Sequence, residues 1–103
     1  MMKIRNAIEI HEDQIADFCN RWQIAEFSLF GSVLRDDFSA ESDIDILVFF
    51  KPGAPYGIDE HLAMREELES IFGRRVDLVT RRSLKNPFVR QSILSSREVI
   101  HAA

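Results

Sequence analysis

Two aspartates, Asp43 and Asp45, stand one residue apart at the head of a run that is otherwise apolar through Phe50. Side chains alternate faces along a strand, so the two carboxylates share one face while Ile44, Ile46 and Val48 take the other. Two unit charges about 4 Å apart repel by roughly 4 kcal/mol at an effective dielectric of about 20, so the pair calls for a shared proton or a cation. A divalent metal is the natural candidate. Gly31-Ser32 lies shortly before them, where a strand gives way to a short helix. Its glycine permits close backbone approach, its serine supplies a hydroxyl, and a helix start offers free amides, which together suit a phosphate chain. A third acid, Asp77, sits inside the apolar stretch Val76-Asp77-Leu78-Val79-Thr80. An unpaired carboxylate is costly to bury, so Asp77 either pairs with an arginine or reaches the same metal centre. Arg35, just past the glycine turn, addresses either a phosphate or its neighbours Asp36 and Asp37.

These residues need strands, a turn and helices to hold them. Asn6-Ala7-Ile8-Glu9 has the form of a capping box, and Ile8, Ile15, Phe18, Cys19 and Trp22 recur at helical spacing, which predicts a first helix ending near Trp22. Glu26 to Phe30 reads as a strand, Val33 to Arg35 as a short helix, and Asp43 to about Phe50 as an internal strand stopped by Lys51-Pro52-Gly53. A second helix follows, with Asp59 as cap, Met64, Leu68, Ile71 and Phe72 on one face, and Gly73 past its end. Val76 to Thr80 is a third strand. Asn86-Pro87 opens a last helix through about Ser95, and Glu98 to His101 forms a short terminal strand or a frayed end. This order predicts a small α/β or α+β sheet domain covered mainly on one face.

Composition narrows the function. The chain has 103 residues, 46% hydrophobic and 29% charged, enough for one domain, 1–103, with a single core. Its net charge of −4 argues against a nucleic-acid grip. The dense basic pairs, Arg74-Arg75 and Arg81-Arg82, flank the third strand and read as a local electropositive rim. The single cysteine, Cys19, cannot form an internal disulfide, and no run resembles a signal peptide or a membrane span, so a cytoplasmic protein is expected. Cys19 reads as a buried small hydrophobe. His11, His61 and His101 lack metal-ligand spacing. Phe27, Phe30, Phe49, Phe50 and Phe72 read as core, whereas Trp22, Tyr56 and Phe88 suit either the core or a partner surface.

Gly31-Ser32-x-x-Arg35, then Ser42-Asp43-x-Asp45, then Asp77 in a later strand resembles the minimal nucleotidyltransferase family of the DNA polymerase β superfamily, over nearly the whole chain. The resemblance implies a small polymerase β-like domain with a short mixed sheet covered by helices. It implies that Asp43 and Asp45 hold two Mg²⁺ ions, that Asp77 is the third ligand and the base toward the attacking hydroxyl, and that Gly31 and Ser32 cradle the β- and γ-phosphates of ATP. Arg35 and Ser42 complete the nucleotide-binding set. Many members have glycine directly after the arginine, where this chain departs from the pattern with Asp36.

The same resemblance implies the activity and the partner. AMP would pass from ATP to a hydroxyl of a HEPN-domain protein, often a toxin ribonuclease, with this chain as the antitoxin. Two rival expectations stand beside it: a non-catalytic antitoxin that occludes its partner, and a homo-oligomeric enzyme that modifies a small molecule.

Overall fold

The computed structural model describes residues 2–4, 8–34, 39 and 42–103, with the backbone alone for 2–4. Strands β1 (Met2–Ile4) and β2 (Ile8–Ile10) pair antiparallel as a separate hairpin. Helix α1 (Glu12–Trp22), strand β3 (Ile24–Phe30) and a 3₁₀ turn at Gly31–Leu34 follow. Then come β4 (Ile44–Phe50), α2 (Ile58–Phe72), β5 (Val76–Thr80), a 3₁₀ turn at Arg81–Ser83, α3 (Pro87–Ser96) and β6 (Glu98–Ala102). The main sheet has four strands in the order β5-β4-β3-β6. It is mixed: β3 runs antiparallel to both β4 and β6, and β4 runs parallel to β5.

The mixed sheet and its helices agree with the fold class expected from the sequence. Strand β4 is internal, as its apolar run demands. The parallel step from β4 to β5 requires a crossover, and α2 supplies it. The core lies on one sheet face, where Ile44, Ile46 and Val48 meet Phe27 and Leu29 of β3, Val76 and Leu78 of β5, and the inner faces of the helices through Ile15, Phe18, Met64 and Leu68. Cys19 is buried in this layer, and desolvation pushes its thiol up to about 12, so it behaves as the small hydrophobe expected. No described helix is long and apolar enough to cross a membrane.

Several local expectations are revised. The first helix starts at Glu12; Ile8-Glu9-Ile10 instead forms β2, with the isoleucines buried and Glu9 exposed, a two-residue period that overrides the capping-box pattern. Asn6 and Ala7 of that pattern lie outside the described residues. Gly57 rather than Asp59 precedes α2, which adds Ile58 and Asp59 to its first turn. Gly73 ends α2 in the left-handed region, at φ 70°. Asn86 caps α3 as its sequence suggests, accepting from the amides of Phe88 at 2.9 Å and Val89 at 3.3 Å. The terminal segment is a paired strand, not a frayed helix end. Of the phenylalanines, Phe27 is fully buried and Phe50 and Phe72 pack against the core, but Phe30 and Phe49 stay outside that cluster, opposite Asp45 and Glu26 respectively. Trp22 and Tyr56 also pack against the core, whereas Phe88 is exposed.

Phe27 packs edge-on to Phe18 at 6.1 Å between centroids and joins β3 to α1. Phe27→Ala is expected to cost about 3–5 kcal/mol through lost burial and a residual cavity, read as a lower denaturant midpoint with an unchanged slope.

Candidate active site

Strand alternation and register place the acids. In the parallel β4–β5 ladder Asp45 is opposite Asp77, so both leave the face that carries Ile44, Ile46, Val76 and Leu78. Neighbouring strands lie about 4.8 Å apart, which sets the two aspartates side by side. Asp43 comes just before β4 and pairs with Arg75 at 3.1 Å, an exposed contact of small energetic weight. Asp77 is exposed, so the burial cost that would force it to find a partner does not arise; β5 is an edge strand, open on this face.

The glycine turn closes directly over β4. Gly31 has φ +72°, which favours glycine, and a Cβ built there would lie 2.2 Å from Oδ2 of Asp45. A side chain there would require the Asp45 carboxylate to move aside. The Ser32 amide donates to the same Asp45 oxygen at 3.4 Å, and the Ser32 hydroxyl donates to the Asp43 carbonyl at 3.3 Å. The turn expected to hold phosphates is thus tied to both aspartates, through the carboxylate of one and the backbone of the other. It takes the form of a single 3₁₀ turn ending at Leu34 rather than an α-helix. Arg35 and Asp36 lie outside the described residues. The Ser42 hydroxyl accepts from the Ser39 amide at 3.2 Å and so belongs to the loop before β4.

The donor chemistry suits a hard divalent ion. Carboxylates are the available ligands, and Gly31 leaves backbone rather than side chain against Asp45. Among the described residues no three acidic, histidine or cysteine side chains are gathered as a ready-made cage. Mg²⁺ is usually held by one or two carboxylates together with substrate phosphates and water, an arrangement that needs no such cage. Asp45 and Asp77, side by side on one face, are carboxylates of the kind such an arrangement uses.

Sequence reasoning missed a second polar group on this sheet face. Glu26 pairs with Ser28 along β3 and receives the Arg97 guanidinium, whose Nε stands 2.8 Å from Oε2. Arg97 also donates to the Leu94 carbonyl, and its guanidinium lies 6.0 Å from the Phe49 ring centre. The Arg97 hydrogen bond holds the Glu26 carboxyl below its ordinary value, against a smaller opposing effect of burial. The partners are 71 residues apart in sequence, beyond any local pattern.

The family model described as a nucleotidyltransferase domain matches residues 12–100, and the chain belongs to that family, as one of its minimal nucleotidyltransferases. A candidate protein adenylyltransferase of Methanocaldococcus jannaschii is 36% identical over 93 residues, covering 90% of each chain. The protein adenylyltransferase MntA of Thermococcus cleftensis is 31% identical over 99 residues, covering 96% of this chain and 92% of its own. Among solved structures, a tri-AMPylated HEPN toxin of Shewanella oneidensis in complex with its MNT antitoxin aligns with a TM-score of 0.64 at 22% identity, covering 89% of this chain and 70% of that one. The last likeness is one of fold. The domain is therefore a nucleotidyltransferase.

Two outcomes follow from this geometry. Gly31→Ala places a methyl against the Asp45 carboxylate at a backbone angle alanine disfavours, so the thermal shift given by ATP with Mg²⁺ should shrink or vanish while the far-UV spectrum stays native. Glu26, with its folded pKa depressed, stabilises the fold above the ordinary glutamate value of about 4.3, and that stabilisation is lost as pH falls through the folded value. Glu26→Gln should lower the melting temperature at neutral pH and flatten the acid side of the stability profile, as read by melting scans from pH 7 to pH 3.

Proposed function

We propose that this chain is a Mg²⁺-dependent adenylyltransferase that moves AMP from ATP to a hydroxyl of a HEPN-type partner protein and serves as its antitoxin. The observation that carries the reading is the junction of the Gly31-Ser32 turn with Asp45, which sets the turn against the carboxylate face. The names of the relatives support protein as the acceptor, and the modified toxin in the aligned complex supports both the AMP group and the HEPN partner. The reaction would run where ATP is held, in the cytoplasm.

In this reading Gly31 and Ser32 bind the β- and γ-phosphates, with Ser42 flanking them and Arg35 completing the set. Asp43, Asp45 and Asp77 are the residues that would hold Mg²⁺, two ions in all. Bound there, the metal supplies Lewis acidity toward the phosphoryl oxygens and charge compensation for the departing pyrophosphate. The acceptor oxygen forms a bond to the α-phosphorus, the bond from that phosphorus to the oxygen bridging to the β-phosphate breaks, and pyrophosphate leaves with the electron pair. Asp77 takes the hydroxyl proton. Its exposure on the open face of an edge strand leaves room for a bulky acceptor to approach.

The direct test is to incubate the protein with labelled ATP, Mg²⁺ and the neighbouring gene product, and to follow label on that partner. Asp45→Asn is nearly isosteric and should reduce transfer by orders of magnitude while co-purification with the partner persists. Ser32→Ala removes one charge-assisted hydrogen bond among several, worth about 1.5–3 kcal/mol, or roughly ten- to a hundredfold in rate. Full protection of cells by Asp45→Asn at unchanged expression would instead favour an antitoxin that acts by occlusion, and label on a small molecule rather than on the partner would favour the small-molecule enzyme.

A further inference from the structure

The far end of β4 and β5 carries the opposite charge. A hollow of about 590 Å³ opens there, and its walls include Lys51 from the end of β4, Arg81 and Arg82 from the 3₁₀ turn after β5, and Arg90 from α3. Among the described residues no acidic side chain lines it. Among those residues, too, none of the four cations makes an ion pair, whereas Arg21, Arg75 and Arg97 each engage a carboxylate. Uncompensated like charges converging on one concavity repel one another, and the chain as a whole is acidic at −4, so this concentration of cations runs against its overall balance. The seat is also ordered: the Arg81 guanidinium lies 5.8 Å from the centre of the Phe49 ring, and Tyr56, in the opposite wall, is fixed by a 2.5 Å hydrogen bond to Nδ1 of His61 and by ring contact with Phe50.

We propose that this hollow is a binding site for a compact polyanion of the linked-phosphate class, separate from the catalytic end of the sheet. Lys51, just past β4, is six residue steps from Asp45, about 20 Å at roughly 3.3 Å per step, too far for one triphosphate to span. The volume falls in the usual range for small-molecule sites. Cations drawn from three elements around one concavity suit a short, densely charged ligand better than an extended acidic chain, which would contact them in series. Planar guanidinium groups match phosphate oxygens in pairs, so the three arginines set the preference for phosphate over smaller anions. The ligand is either an inorganic polyphosphate or the phosphate tail of a nucleotide, and the two differ in whether the aromatic wall adds affinity.

The test uses the whole protein in Mg²⁺-free buffer at low salt, where the three catalytic aspartates repel anions and the cationic hollow attracts them. Tripolyphosphate titrated by calorimetry should bind with one-site stoichiometry and weaken steeply as salt is raised. Arg81→Ala with Arg90→Ala should weaken that binding at least tenfold, Arg81→Lys with Arg90→Lys less, and Asp45→Asn not at all. ATP binding more tightly than tripolyphosphate under the same conditions assigns a nucleotide tail; equal or weaker binding assigns the inorganic chain. The paired alanines alter surface side chains only, and a native far-UV spectrum verifies their fold. No detectable binding, binding unaffected by the arginine changes, or tighter binding of a hexaglutamate peptide than of tripolyphosphate would overturn the proposal, the last in favour of an acidic protein segment. Because no step depends on catalysis, loss of the adenylyltransferase reading would leave this result unaffected.

Discussion

The acidic end of this domain depends on one backbone approach. Gly31 lies so close to the Asp45 carboxylate that a Cβ there would displace it, and the positive φ at that position favours glycine for a second reason. The constraint links β3 to β4 at the point where β3 ends, so the chain leaves the sheet directly above the acids. Ser32 adds two hydrogen bonds to the same strand start. A turn attached to the sheet edge by a loop alone would lose entropy on closing around a ligand; one already seated against Asp45 loses less.

The second requirement is that one strand serve two purposes. On one face β4 contributes Ile44, Ile46 and Val48 to the core; the opposite face carries Asp45. A register slip by one residue would turn Asp45 into the core and expose three apolar side chains, so burial of the aliphatic face fixes the position of the acid. The same logic operates in β5, where Val76 and Leu78 are buried and Asp77 is exposed. Parallel pairing then aligns the acids, because equal positions on parallel neighbours share a face. Hydrophobic burial on one side of the sheet is what juxtaposes like charges on the other.

Much of this was legible from local pattern. Two-residue alternation located β4 and β5, and the residue types of the glycine turn and the Asn86-Pro87 start identified a strand end and a helix cap. What escaped notice depends on partners distant in sequence or on competition between two local signals. Ile8-Glu9-Ile10 satisfies a capping box and a strand alternation together, and pairing with Met2–Ile4 decides for the strand. The outward placement of Phe30 and Phe49 follows from register with Asp45 and Glu26, which phenylalanine content cannot reveal. The Glu26–Arg97 pair joins residues that only the β3–β6 pairing brings near. The neighbourhood of Asp45 was readable because Gly31 and Ser32 imply a turn chemistry, whereas the openness of Asp77 was not, since the edge position of β5 is a property of the whole sheet.

The two arginine pairs show how topology gives identical local sequence different roles. Arg74-Arg75 precedes β5 and Arg81-Arg82 follows it, so a five-residue strand carries them to opposite ends of the sheet. At the acidic end Arg75 meets Asp43 and Arg74 donates to the Ser39 carbonyl at 2.7 Å, tying the loop before β4 to that end. At the far end Arg81 and Arg82 join Lys51 and Arg90, with no carboxylate of the described residues between them. Asp43, Asp45 and Asp77 thus lie toward one end of β4 and β5, where Arg75 offsets Asp43, and the cations of the hollow lie at the other. Such a dipole orients an approaching partner that carries both signs of charge before any contact forms, and it does so over about one Debye length, roughly 8–10 Å in physiological salt.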